Sequence, residues 1–204
     1  MSGNRLGSWS AAAVFLIGAA YVITLAIGFA VHGLAEPIVD PILAVMEVLT
    51  LLSALLMIVV MAAIHAHASV DRKAYGVIAL AFTIAFATIT SAVHFIELTA
   101  LRQMGTGGIV WPSAIYAAEL LAWDLFLGLG LLFAAPLFRD EAGERPVRRG
   151  LIIGGVLCVA GTVGPAVGNM RLQLIGVVGY AVVLPVVSLL LARGFRSGFR
   201  RSPE

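Results

Sequence analysis

The sequence predicts an all-α fold, a polytopic membrane helix bundle of six transmembrane helices. Hydrophobic residues make up 61% of its 204 residues and charged residues only 12%, and the mean hydropathy is +1.04. Soluble domains are about a quarter charged, so the expected solvent is lipid. At this length we expect a single domain, residues 1–204.

Six apolar runs supply the predicted helices, and each is long enough to cross a hydrocarbon core about 30 Å thick. Short linkers between the runs favour antiparallel packing of neighbours. The predicted spans are Trp9–Val31, Ile42–His65, Ala74–Leu98, Pro112–Phe138, Gly150–Val167 and Leu172–Ala192.

Basic residues are divided unequally between the two sets of linkers. With a cytoplasmic N-terminus, only Arg102 and Arg171 of the 13 Lys and Arg residues lie outside the cell, which leaves 11 inside. The positive-inside rule therefore predicts a multi-pass cell-membrane protein with both termini in the cytoplasm. Because the basic residues lie at helix ends, they do not indicate a nucleic-acid partner. Cys158, the single cysteine, allows no intrachain disulfide.

Ionisable side chains inside the apolar runs carry the functional information, because lipid makes a charge costly there. A rise of about 1.5 Å per residue places four of them in the outer leaflet and the fifth near the midplane. We predict these five as the catalytic candidates: Glu47, His94, Glu97, Glu119 and Asp124.

Helical spacing places these groups on shared faces, with His94 and Glu97 on span three and Glu119 with Trp123 on span four. We therefore predict a polar pocket among spans two, three and four that opens toward the outer leaflet, with the other spans as scaffold. Asp124 is expected to face a different neighbour or the far wall. The predicted substrate-binding residues are Tyr116, Trp123, Thr90, Phe95 and Trp111.

Each candidate also has a purely structural interpretation. Glu97 could pair with Arg102 at the interface. Glu47 and Glu119 could be protonated groups that tie helices together, as could Asp124 paired with a Trp or Ser. The aromatic residues of the outer linker and helix end, Trp111 and Tyr116, are also typical of an interfacial belt.

Several chemistries are disfavoured, and we expect no cofactor. Lys73 is the only lysine and lies in a linker, so no intramembrane Schiff base can form. A haem needs two histidines at one depth, which the chain offers only near helix ends. Carboxylate-bridged metal pairs use two Glu-x-x-His motifs, whereas this chain has one, His94 to Glu97, in reverse order.

Acid–base chemistry on an apolar substrate fits the pattern best. Burial favours the neutral form of a carboxyl group, which can then donate a proton at neutral pH. Tyr and Trp rings stabilise a cationic intermediate. The sequence thus predicts a lipid- or terpenoid-modifying enzyme, a cyclase or isomerase whose substrate enters from the bilayer.

The segment Leu121-Ala122-Trp123-Asp124 resembles the Trp–acid motif of the small integral-membrane terpene cyclases of meroterpenoid pathways. The resemblance covers only these residues of span four, and that family is usually described with seven helices rather than six. It implies that Asp124 is the acid, with Glu47 or Glu119 as the second carboxylate.

The alternative hypothesis is a small proton-coupled transporter or a lipid-binding membrane module. Intramembrane carboxylates and histidines serve proton relays equally well, and Pro165 and Pro185 give spans five and six some transporter character. In either case the expected partner is a membrane lipid or terpenoid. The glycine-rich spans five and six allow either packing within one protomer or a homo-oligomer.

Overall fold

A computed structural model describes residues 3–33, 36, 38–105 and 110–199. All regular secondary structure in these residues is helical, and six helices are long and apolar enough to cross a membrane. This confirms the all-α fold class and the six predicted spans. The helices are α1 (Asn4–His32), α2 (Ile42–His67), α3 (Val70–Leu101), α4 (Ala114–Leu137), α5 (Arg145–Ala166) and α6 (Met170–Ser197).

The six helices form a closed ring. Each helix packs on its neighbour in sequence, and α1 closes the ring by packing on α6. The helix α4 buries 56% of its apolar window but α1 only 11%, so α4 lies closest to the centre and α1 faces mostly outward. Helices satisfy their own backbone hydrogen bonds, which is why apolar chains adopt them in lipid.

The two ends of the bundle are distinguished by their loops. One end, called the terminus end, holds the beginning of α1 and the end of α6, where Ser8 Oγ donates to the Ala192 carbonyl over 2.9 Å. The opposite end, called the Arg102 end, holds the loops before α2, α4 and α6. Which end faces the cytoplasm stays a prediction from the charge distribution.

Three stretches of π-helix interrupt the long helices: Glu97–Leu101 in α3, Leu121–Leu127 in α4 and Val178–Val183 in α6. A π-helical turn holds extra residues and changes the directions of the side chains around it, and such turns are frequent at functional sites. The segments in α4 and α6 include Trp123, Asp124 and Tyr180, which belong to the site described below.

Close approach of α5 and α6 depends on two glycines. A Cβ on Gly161 would lie 2.8 Å from the Gly176 Cα atom and 3.0 Å from Asp124 Oδ1. Small residues let membrane helices pack backbone to backbone. Gly161 and Gly176 therefore serve the α5–α6 contact within one protomer. From the sequence alone, these glycines could also have formed a dimer interface.

Candidate functional site

A cavity of about 250 Å³ lies inside the ring, between its middle and the Arg102 end. Aliphatic side chains, glycine and proline form much of its wall. The aromatic and polar residues of the wall come from five helices and are Tyr21, Thr50, Ser53, His94, Tyr116, Glu119, Trp123 and Tyr180. Polar groups in an otherwise apolar concavity are typical of a site for a small molecule.

The cavity reaches the surface beside α1 and is blocked toward the terminus end. Val22 lines the cavity and is also 47% exposed, so this part of the wall lies at the surface of the bundle. Below the cavity the interior of the ring is filled by fully buried side chains, among them Met61, Ile64, Leu127 and Phe195.

His94 and Glu119 form the polar centre of the wall. His94 Nε2 lies 3.0 Å from Glu119 Oε1, and their side chains are only 14% and 17% exposed. The same oxygen accepts a hydrogen bond of 2.5 Å from the indole nitrogen of Trp123. The structure thus brings together three residues that the sequence predicted for the site, from two adjacent helices.

The ring of Trp123 is fixed by aromatic neighbours on both sides. Its centroid is 4.7 Å from Phe86 in an edge-on arrangement and 4.9 Å from Tyr180. The rings of Trp123 and Tyr180 line the cavity together with those of Tyr21 and Tyr116, from α1, α4 and α6. Such rings present negative faces that attract a cation.

Two of the helices predicted as scaffold contribute to this wall, which corrects the expected pocket among spans two, three and four. Tyr21 lies on α1 and Tyr180 on α6. Both reach the cavity because α1 and α6 pack against each other where the ring closes. Because the prediction rested on acidic and histidine side chains within the apolar runs, neither tyrosine was among the predicted site residues. Their signal was a polar aromatic residue in the middle of an aliphatic run.

Asp124 is fully buried and does not line the cavity. It faces a different neighbour, which is one of the two arrangements expected from the sequence. It lies against Gly161 and Gly176, and the Gln173 side-chain nitrogen donates to its two oxygens over 3.4 and 3.5 Å. The same Gln173 nitrogen donates to the Tyr180 hydroxyl over 3.1 Å. Gln173 was not among the predicted site residues.

Glu47 and Glu97 are buried toward the Arg102 end, and neither lines the cavity. They are 5% and 2% exposed. Arg102 donates to Glu47 Oε2 over 3.2 Å and to both carboxylate oxygens of Asp40 over 2.7 and 2.8 Å. These hydrogen bonds from Arg102 lower the pKa of Asp40 below its usual range. The group acts as an ionic clasp between α2, its preceding loop and the end of α3.

The remaining predicted binding residues are dispersed. Thr90 is completely buried in the α3 packing and Phe95 is 62% exposed on the outer surface. Trp111 packs edge-on against Tyr116, with ring centroids 6.0 Å apart. It therefore contacts a residue of the cavity wall without lining the cavity itself. Of the five predicted binding residues, only Tyr116 and Trp123 line the cavity.

A metal centre finds no support in the described part of the chain. There, no group of three His, Cys, Asp or Glu side chains is placed to hold one ion. His94, which the sequence offered together with Glu97 for such a site, instead pairs with Glu119.

The cavity should close when its small wall residue Ala181 is enlarged. We expect Ala181→Phe to fill the space and to lower binding of any apolar molecule that occupies it at least tenfold, because the neighbouring wall is already packed. Val182→Phe is the matched control, since Val182 is 58% exposed on the outer surface. Titration of both purified variants with geraniol measures the difference, and equal binding would show that the ligand lies elsewhere.

Comparisons of the chain with protein-family models, with curated proteins and with solved structures found no match. What the chain does is therefore inferred from the residues of the cavity wall.

Proposed function

We propose that this protein is a membrane-embedded enzyme that isomerises or cyclises an apolar lipid or terpenoid by acid–base chemistry. The observation that carries the proposal is the His94–Glu119 pair, joined over 3.0 Å and facing an aromatic cavity inside the bundle. With the orientation indicated by the positive-inside rule, the cavity belongs to the outer half of the membrane.

The protonated pair holds a proton between Glu119 Oε1 and His94 Nε2. That proton is donated to an alkene carbon or an epoxide oxygen of the substrate, which becomes a cation or opens to one. The rings of Trp123, Tyr116 and Tyr21 stabilise this positive charge. Loss of a proton from a neighbouring carbon then returns a proton to the pair, so the reaction consumes no co-reactant.

The size of the cavity suits a ring or a short prenyl segment. A cavity of about 150 Å³ in another protein holds benzene, and this one measures about 250 Å³. A longer chain would extend past Val22 into the surrounding lipid. Exclusion of water from such a site protects a cationic intermediate from hydrolysis.

The proposal assigns the proton to Glu119 and His94 rather than to Asp124. Asp124 does not line the cavity, and its side chain accepts hydrogen bonds from Gln173, which also donates to the wall residue Tyr180. The Trp–acid resemblance would make Asp124 the acid, and comparison of the amide variants separates the two assignments.

An enzyme is favoured over a carrier because the interior is filled below the cavity. A carrier needs access from both sides in turn, whereas the terminus half is occupied by large buried side chains such as Phe138 and Phe195.

Deuterium transfer from solvent tests the proposal directly. The protein in lipid vesicles is incubated in D₂O with a panel of prenyl alkenes and their epoxides, and products are analysed by mass spectrometry. We expect at least one compound to rearrange and gain carbon-bound deuterium, with protein-free vesicles as the control. If no compound changes while one crosses the vesicle membrane together with protons, the protein is a carrier.

A further inference from the structure

Asp124 and Gln173 form a buried pair behind the cavity wall, and this pair contacts Tyr180. Asp124 is 0% exposed and Gln173 is 4% exposed. The Gln173 nitrogen lies within hydrogen-bond distance of Asp124 and, at 3.1 Å, of the Tyr180 hydroxyl. Tyr180 lines the cavity. A buried polar connection therefore joins Asp124, outside the cavity, to Tyr180, a residue of the cavity wall.

The direction of these hydrogen bonds follows from the chemistry of the groups. The Gln173 amide nitrogen donates to both oxygens of Asp124, the direction that an ionised carboxylate requires because it only accepts. The second hydrogen of that nitrogen is donated to the Tyr180 oxygen. A hydroxyl group that accepts one hydrogen bond keeps its own proton for another acceptor. The Tyr180 proton is thus available to another acceptor.

Two glycines let Asp124 pack directly on α5 and α6. A Cβ atom on Gly176 would collide with Asp124 Oδ1, and a Cβ atom on Gly161 would lie 3.0 Å from the same oxygen. The carboxyl group thus lies beside Gln173, whose amide nitrogen donates to both of its oxygens. Through these hydrogen bonds Asp124 sets the orientation of the Gln173 amide.

We propose that Tyr180 donates a hydrogen bond to an oxygen atom of the substrate, and that Asp124 and Gln173 are positioning residues that direct its proton into the cavity. The inference rests on the proposed function and narrows its substrate class to apolar molecules with a carbonyl, ether or epoxide oxygen. Tyr180 would bind this oxygen from α6, while His94 and Glu119 act from α3 and α4.

Menthone and p-menthane are suitable test ligands, since they share one carbon skeleton and differ by a carbonyl oxygen. A hydrogen bond contributes about 1 kcal/mol, so the protein in lipid nanodiscs should bind menthone about fivefold more tightly than p-menthane. Tyr180→Phe should remove most of this preference without weakening p-menthane binding. Tyr75→Phe is the matched control, since Tyr75 is 45% exposed near the terminus end.

Asp124→Asn tests the positioning role through a spectroscopic signature. An Asn amide lets Gln173 turn its oxygen toward Tyr180, which would then donate its proton to Gln173 instead of the ligand. The infrared carbonyl band of bound ¹³C-labelled menthone should move to higher frequency in Asp124→Asn and in Tyr180→Phe, and no further in the double variant. Asp140→Asn, in the loop before α5, is the control for the substitution.

The outcomes separate this inference from the proposed function. An unchanged menthone preference and carbonyl band in Tyr180→Phe would overturn the inference. The inference would also be overturned if Asp124→Asn, added to Tyr180→Phe, weakened binding of menthone and p-menthane equally. That result would indicate a general packing role for Asp124. Neither result bears on deuterium transfer by the His94–Glu119 pair. Absence of that transfer would contradict the proposed function, while the binding and infrared measurements would still decide whether Tyr180 contacts the ligand oxygen.

Discussion

Glu119→Gln is expected to lower the rate of deuterated product formation by about 10²–10⁴-fold, the usual contribution of a general acid. The substitution keeps an oxygen that can accept from Trp123, so the indole stays in place. It removes the group that exchanges a proton with His94 Nε2. The measurement is the initial rate in D₂O with the compound that gives the fastest rearrangement.

Comparison with three other amide variants makes this result specific. Glu141→Gln is the matched control, because Glu141 lies in the loop before α5 with its side chain 58% exposed. Glu47→Gln and Asp124→Asn should each retain more activity than Glu119→Gln, since neither residue lines the cavity. A folded Glu119→Gln protein within threefold of the wild-type rate, or a larger loss in Asp124→Asn, would show that the acid is another residue.

Hydropathy predicted the helices well because lipid requires every span to be apolar and long enough to cross the hydrocarbon core. Only the ends differ, by five residues or fewer. The fifth span was expected from Gly150, yet α5 begins at Arg145. A helix continues beyond the apolar region as long as its backbone hydrogen bonds are satisfied, and Arg148 and Arg149 extend it there.

The candidate site was less predictable because it depends on which helices meet. Spacing along one helix placed Glu119 and Trp123 on a shared face, and the structure joins them by a hydrogen bond. Nothing in a single span indicates that α1 packs on α6, which brings Tyr21 and Tyr180 to the same cavity. The π-helical turns add a further change of direction that a regular helical wheel does not include.

The ionic clasp at the Arg102 end should be the most sensitive point for stability. Arg102→Met would leave Glu47, whose side chain is 6% exposed, without the guanidinium that faces it. Removing one partner of a buried ion pair costs roughly 3–5 kcal/mol. Because Arg102 is itself 24% exposed, water can replace part of the interaction, and we expect a loss of about 2–4 kcal/mol.

Unfolding of the purified protein in detergent, followed by circular dichroism, measures this loss. Arg171→Met is the matched control, since Arg171 is exposed at the same end of the bundle. The double variant Arg102→Met/Glu47→Gln should recover much of the stability, because the neutral amide no longer needs a cation. A double variant no more stable than Arg102→Met alone would show that the arginine acts through Asp40 instead.

The pH dependence separates these two partners of Arg102. The guanidinium lowers the pKa of Asp40, so their contribution is fully present above the ordinary carboxyl pKa of about 4 and is lost as the pH falls through the lowered value. The stability difference between wild type and Asp40→Asn should therefore shrink in acid. A difference that stays constant from pH 7 to pH 3 would mean that Asp40 stabilises the loop by hydrogen bonds alone, and that the charge of Arg102 acts mainly on Glu47.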